Sequence, residues 1–187
     1  MMNVTFDTNC IIALEANEAT ADDLRRVVRT ATEGTLALRV VAPSASERPR
    51  RGAASTGFGE FERKLASAGL GDAEILPGPA MWDLSFWGQC VWMDDERSAK
   101  LRQVHGILFP NHPYKSSSDP SDPNEKWRNR LMDACALWTH VHHGGGVFVT
   151  ADKNFHGKKE SIQKELGTSI LTPHEAVMLV AEASGLN

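Results

Sequence analysis

The sequence predicts an α/β fold in which helices cover both faces of a central parallel sheet. Short runs rich in apolar and β-branched residues alternate with helical segments almost throughout the chain. Parallel strands need crossover connections, which are right-handed and are usually built from helices. In such sheets, sites lie outside the carboxyl ends of the strands. Polar residues at those ends are therefore the first candidates for function.

Local composition and helix-capping residues predict the helices and strands along the chain. Thr20 to Asp23 is expected to form a capping box before the second helix, and Gly34 is expected to end that helix. Strands are predicted at 2–7, 35–42, 73–76, 147–150 and 169–171. Helices are predicted at 9–17, 22–33, 58–69, 94–109, 125–143, 158–166 and 173–184.

We predict a single domain over residues 1–187, with an insertion at about 77–125. The end of the insertion is rich in Pro, Ser and Asp, which predicts a mobile loop. The insertion also carries Trp82, Trp87 and Trp92. We expect these tryptophans to pack in a core beneath it, the alternative being a surface for a partner or for base stacking.

Bulk composition narrows the class of protein. The chain has 187 residues, 41% of them hydrophobic, and a net charge of −4, which argues against a strongly basic nucleic-acid-binding surface. Three widely separated cysteines predict reduced core thiols. We see neither a signal-peptide pattern nor a membrane-spanning stretch, and therefore expect a cytoplasmic protein with no membrane partner.

Four carboxylates fall at or near the carboxyl ends of predicted strands. Asp7 follows the first strand, Glu47 the second and Asp152 the fourth, while Asp133 lies on the helix before that strand. Carboxylates brought together repel one another, so such a cluster favours a cation. Oxygen ligands suit Mg²⁺ or Mn²⁺, which can activate water for phosphodiester hydrolysis.

Each acid also has a purely structural interpretation. Asp7 and Asp152 can be turn or helix-capping residues. Glu47 can close a capping box with Ser44, although Pro49 fits better if Ser46 is the N-cap. Asp133 alone is more often a solvated helix residue. The order and placement of all four acids carry the metal interpretation.

These segments resemble the PIN domain family of metal-dependent ribonucleases. The similarity lies in VTFDTNCIIAL, VVAPSASE, DACALW and VFVTADKNF, which lie within residues 3–155. The resemblance implies a three-layer α/β/α sandwich and a metal-binding, catalytic set for Mg²⁺ or Mn²⁺. That set would be Asp7, Glu47, Asp133 and Asp152.

The resemblance implies further roles. Thr8, Asn9 and Thr150 would orient the acids, and Asn154 stands where many relatives carry another acid. The long insertion and the basic run after Glu47 depart from small family members. Contacts to RNA phosphates are an open interpretation of that run and of Lys153, the alternative being a solvated surface. The basic residues of the run are Arg48, Arg50 and Arg51.

The predicted function is that of a metal-dependent endoribonuclease, in which an acidic cluster holds a metal that activates water. The alternative is a non-catalytic PIN-like module that binds RNA or a protein. A haloacid-dehalogenase-type phosphohydrolase is disfavoured, because it needs a second acid at the position of Asn9. The family also implies a possible antitoxin partner and a possible homodimer. The histidines at 140, 142 and 143 are interpreted as structural residues suited to a helix C-terminus.

Overall fold

A five-stranded parallel sheet forms the centre of the protein. The structure, a computed structural model, describes residues 2–34, 36–46, 57–82, 84–115 and 126–183. Within these ranges the central strand order is β3-β2-β1-β6-β7, and β4 pairs with β5 in a separate parallel sheet. The strands are β1 Met2–Phe6, β2 Leu36–Val41, β3 Glu74–Leu76, β4 Gly78–Pro79, β5 Cys90–Val91, β6 Val147–Val149 and β7 Ser169–Leu171.

Helices flank this sheet, as the alternating pattern predicts. A short 3₁₀ helix at Ala42–Ser46 follows β2 directly. The α-helices are α1 Thr8–Ala16, α2 Ala21–Thr32, α3 Phe58–Ser67, α4 Asp95–Leu108, α5 Lys126–His142, α6 Lys153–His156, α7 Lys159–Leu166 and α8 Pro173–Ala183.

Two apolar clusters lie on opposite faces of the sheet. Successive strand residues point to opposite faces, and in β6 Val147 and Val149 join one cluster while Phe148 joins the other. The first cluster includes buried residues of α1 and α2, and the second includes buried residues of α4 and α5. Helices α2 and α8 pack together, as do α4 and α5. The predicted parallel sheet is confirmed, and the arrangement is compatible with three α/β/α layers.

The strand order reverses beside β1. The chain proceeds from β1 outward through β2 and β3, then returns to place β6 on the other side of β1. Phe6 at the end of β1 lies in register with Val149 at the end of β6. In parallel sheets this reversal opens a crevice at the carboxyl ends of the two strands.

Several local predictions are wrong. Thr20 precedes α2 as its N-cap but makes no side-chain capping bond, because its backbone is helical rather than extended (φ −89°, ψ −4°). The 3₁₀ helix that follows β2 is not among the predicted elements. The short strands β4 and β5 and the helix α6 were not predicted, since each is four residues or fewer. The predicted mobile loop lies largely outside the described residues, which omit 116–125.

The three tryptophans of the insertion are not in the core. Trp82, Trp87 and Trp92 are 90%, 91% and 80% exposed, whereas Trp138 of α5 is buried. The prediction of core packing is therefore wrong. The cysteines are free thiols, with Cys10 and Cys135 buried as expected and Cys90 half-buried. No helix among the described residues is long and apolar enough to cross a membrane.

Candidate functional site

Asp7 joins the end of β1 to the start of α1. Its backbone is extended (φ −75°, ψ 163°), its N–H donates to the Val149 carbonyl at 3.0 Å, and its side chain caps α1. The Thr8 N–H donates to Asp7 Oδ1 at 2.8 Å. Asp7 is thus both the last residue attached to the sheet and the N-cap of the following helix, which fixes its carboxylate at the carboxyl ends of β1 and β6.

Two side chains hold the other oxygen of Asp7. Thr150 Oγ1 donates to Asp7 Oδ2 at 2.7 Å, and Asn9 Nδ2 donates to the same oxygen at 2.6 Å. Asn9 Nδ2 also donates to Thr150 Oγ1 at 2.8 Å, while its Oδ1 accepts from the Ala151 N–H at 3.0 Å. Asn9 therefore bridges the ends of two neighbouring strands through the carboxylate.

Burial dominates the protonation of Asp7. The residue is 5% exposed, and burial raises the pKa of its carboxyl group from 3.8 to about 6. Hydrogen bonds from Thr150 and Thr8 oppose that rise in pKa, and the charge of Asp152 adds to it. The two carboxylates thus lie close enough to interact electrostatically.

Asp152 occupies the matching position after β6. It is the N-cap of α6, accepting from the Asn154 N–H at 2.7 Å, and its own N–H donates to Thr150 Oγ1 at 3.0 Å. Thr150 is fully buried, whereas Asp152 is half-buried. One hydroxyl, that of Thr150, consequently contacts both acidic segments.

The structure describes some of the remaining predicted site residues and not others. Asp133 lies half-buried on α5. Burial raises the pKa of the nearby Cys135 thiol, and the charge of Asp133 adds to that rise. Lys153 and Asn154 are exposed in α6, and Asn154 contacts Asp152 through its main chain. Glu47 and the three arginines at 48, 50 and 51 lie outside the described residues. The structure thus brings together Asp7 and Asp152 with Thr8, Asn9 and Thr150.

The donor set is suited to a hard cation but is small. Within the described ranges no group of three His, Cys, Asp or Glu side chains could hold a metal. Asp7 already accepts three hydrogen bonds, out of the roughly four that a carboxylate can accept. Asp152 accepts one through Oδ1. Since Mg²⁺ is often held by only one or two carboxylates together with water and phosphate, the two acids fit this ion better than zinc.

Two supporting residues were missed by sequence reasoning. His156 Nε2 donates to the Thr150 carbonyl at 2.8 Å, and Thr8 Oγ1 donates to Ser44 Oγ at 2.7 Å, which joins the 3₁₀ helix to α1. The role of His156 could have been recognised from its position, because it lies in the first helical turn after the N-cap Asp152. The contact between Ser44 and Thr8 has no comparable sign in the sequence.

His140 is structural for a reason other than the one predicted. It is fully buried, its Nδ1 lies 2.8 Å from Thr5 Oγ1, and burial lowers the pKa of its imidazole to about 4. A charged histidine stabilising the helix dipole is therefore the wrong description. His142 stacks on Trp138, with ring centroids 4.5 Å apart, and His143 Nε2 donates to the Pro77 carbonyl.

Comparison of the chain with protein-family models, with curated proteins and with solved structures found no match.

Proposed function

We propose that this protein is a Mg²⁺- or Mn²⁺-dependent endoribonuclease whose reaction takes place at the carboxyl ends of β1 and β6. One observation carries the proposal. Asp7 is a buried carboxylate at the point where the strand order reverses, and a second carboxylate, Asp152, follows the neighbouring strand. The resemblance to PIN ribonucleases rests on the sequence segments and supplies the reaction class.

The lack of a basic partner for Asp7 among the described residues supports a cation at this place. Among the described residues no lysine, arginine or histidine forms an ion pair with Asp7. Neutral donors hold its oxygens, and they do not offset the cost of burial, since the pKa still rises. A divalent ion beside Asp7 and Asp152 would favour the ionised forms of both.

Five side chains have distinct parts in the proposed reaction. Asp7 and Asp152 would hold the ion. Thr150 and Asn9 would keep the Asp7 carboxylate in one orientation, because both donate to Oδ2. The bound ion would supply polarisation of the phosphate and a more acidic water. Lys153, which is exposed and next to Asp152, would contact an RNA phosphate.

A non-catalytic domain that binds RNA or a protein is the second candidate. It is favoured by the small donor set of the described residues and by Asn154 in place of an acid. A phosphohydrolase with Asp7 as nucleophile is disfavoured, because Asn9 uses its amide to bridge Asp7, Thr150 and Ala151 and carries no proton for acid catalysis.

The test is cleavage of structured and single-stranded RNAs in the presence of Mg²⁺, Mn²⁺ or EDTA. Cleavage should require the metal and leave 5′-phosphate and 3′-hydroxyl ends. It should fall at least about a hundredfold in Asp7→Asn and in Asp152→Asn, the scale on which changes to groups that orient metal ligands reduce activity. Glu47→Gln and Asp133→Asn test the other two predicted acids.

Asp72→Asn is the matched control, because Asp72 is exposed and precedes β3 at the opposite edge of the sheet. Calorimetric titration with Mn²⁺ gives a readout separate from activity. Metal binding without cleavage would favour the non-catalytic candidate. Metal-independent cleavage, or cleavage unchanged in both site variants, would refute the proposal.

A further inference from the structure

The insertion exposes three large aromatic side chains on one short segment. We call residues 77–82 and 84–93 the tryptophan loop; Trp82, Trp87 and Trp92 each expose at least 80% of their surface. A tryptophan side chain in a protein core typically buries roughly 150–250 Å² of its surface. Isolated apolar residues on a surface are ordinary, but three tryptophans within eleven positions are typical of an interaction site.

The backbone of the tryptophan loop is held in place, so the exposure does not result from a loose segment. Strands β4 and β5 close its base, and Ser85 Oγ donates to the Pro79 carbonyl at 2.6 Å. The Ser46 hydroxyl donates to the Leu84 carbonyl. Leu84 is buried, which turns one side of the loop inward. The tryptophans are thus presented outward on an anchored scaffold.

Other apolar residues already fill the space beneath the loop. Phe86 packs edge-on against Phe58, with ring centroids 5.6 Å apart, and Met81 and Val91 pack against the cluster that contains α5. Cys135 Sγ lies 3.6 Å from Met81 Sδ. Within the part of the chain that the structure describes, no packing role is therefore left for the three tryptophans, and they are free to be buried by a second molecule.

The charge around the loop selects the kind of partner. Residues 77–93 contain no lysine or arginine, and three exposed acids, Asp94, Asp95 and Glu96, follow at once. Arg97 is paired with Asp94 at 2.5 Å. Surfaces that bind single-stranded nucleic acid combine aromatic rings with available cations. Here Arg97 donates to Asp94 and to the Trp92 carbonyl, and the sequence from 77 to 96 carries four carboxylates and no lysine or arginine. Tryptophan faces beside carboxylates instead suit arginine and lysine side chains.

We propose that the tryptophan loop and the first turn of α4 bind a polypeptide segment that carries basic and apolar residues. The apolar residues of this partner would cover the indoles, and its arginine or lysine side chains would meet the indole faces and the carboxylates at 94–96. The proposal goes beyond the nuclease function and does not rest on it, because Asp7 takes no part in this surface.

A selection from short random peptides displayed on phage tests the chemistry directly. The peptides are selected on the wild-type protein after removal of those that bind a variant carrying Trp82→Ser, Trp87→Ser and Trp92→Ser. Exposure of these side chains means that the variant should fold normally, which circular dichroism checks. We expect enrichment of sequences that combine arginine or lysine with apolar residues.

Synthetic copies of the enriched peptides then give dissociation constants. Binding should weaken at least about tenfold in the triple variant, on the scale of lost aromatic anchors. Removing two charges by Asp95→Asn with Glu96→Gln should weaken binding severalfold and reduce its salt dependence. Met178→Ser, at an apolar position of α8 that is 54% exposed, is the matched control and should leave binding unchanged.

Several results would overturn the proposal. Lack of enrichment, or enrichment of acidic peptides, would refute the predicted chemistry. Binding of oligouridylate that is lost in the triple variant would assign the loop to base stacking. A wild-type dimer in sedimentation that the triple variant converts to monomer would assign the loop to a second copy of this chain.

Discussion

Replacing the buried carboxylate of Asp7 should change how the stability of the protein depends on pH. The folded protein holds the Asp7 proton up to about pH 6, because burial raises the pKa, whereas the unfolded chain releases it near 3.8. Between those values the folded state binds more protons, so the free energy of unfolding of the wild type falls as pH rises. Asp7→Asn has no such proton and lacks this fall.

The size of the effect follows from the shift in pKa. A rise from 3.8 to about 6 corresponds to roughly 3 kcal/mol at neutral pH, and most of it develops between about pH 4 and pH 7.5. The Asp7→Asn change would also place an amide N–H₂ against the donating amide of Asn9, which costs about 1–3 kcal/mol at every pH. The absolute stability of the variant thus combines two opposing effects, but only the carboxyl group depends on pH.

Urea unfolding in EDTA at about pH 4 and about pH 7.5 measures this difference. Relative to the wild type, Asp7→Asn should gain about 2–3 kcal/mol between the lower and the higher pH. Asp72→Asn, at an exposed position, serves as the control and should show little change. The titration of His140 is common to all three proteins and cancels. An equal difference between wild type and Asp7→Asn at both pH values would show that the pKa of Asp7 is not raised and would refute the reasoning.

Three further predictions concern the network around the sheet. Thr150→Val removes the hydroxyl that donates to Asp7 and should cost about 1.5–3 kcal/mol in urea unfolding, while Thr150→Ser should restore most of it; equal losses in both would contradict a role for the hydroxyl. Burial lowers the pKa of His140 to about 4, so its imidazole NMR signals should stay constant from about pH 8 to pH 5.5; titration near 6.5 would contradict this. As pH falls, the imidazole of residue 140 is protonated in the unfolded chain before it is protonated in the folded protein. The free energy of unfolding should therefore decrease as pH falls from about 6.5 to about 4. Gly146→Ala should destabilise the protein by at least about 1–3 kcal/mol, because φ is +112° and a Cβ would lie 2.6 Å from a main-chain oxygen of β1. In contrast, Gly106→Ala in the exposed face of α4 should be neutral or stabilising, and similar effects at both glycines would refute the steric argument.

The sheet could be predicted from sequence because its local signals agree. Val147, Phe148 and Val149 are a short apolar run bounded by glycine and by Thr150, and Pro173 marks the first turn of the last helix. Pairing between strands distant in sequence is not encoded in any such window. The placement of Asp7 beside Asp152 follows only from β6 returning to the far side of β1, which the connection rules permit but do not specify.

Burial of individual aromatic and polar residues was the weakest part of the prediction. Tryptophans are highly buried on average, which is why a core position was expected for Trp87. The average burial of tryptophan does not show which of two adjacent aromatic residues faces the core. In this loop Phe86 packs inward, and Trp87 is left exposed. Likewise His140 lies in a last helical turn that looks exposed in sequence, yet its ring packs edge-on against Phe148 of β6.

A comparison of two aspartates in the same structural position separates capping from function. Asp94 caps α4 through the Arg97 N–H at 2.8 Å, and its half-exposed carboxylate pairs with the Arg97 side chain. Asp7 caps α1 from a buried position, with no described basic side chain paired to it. Asparagine or serine would cap α1 about as well as aspartate and would avoid the roughly 3 kcal/mol that the raised pKa represents. Capping therefore explains why a polar residue follows β1 but does not explain why that residue is ionisable. A cation held with the help of Asp152 would explain it, since the charge that is costly for folding is then the charge that binds the ion.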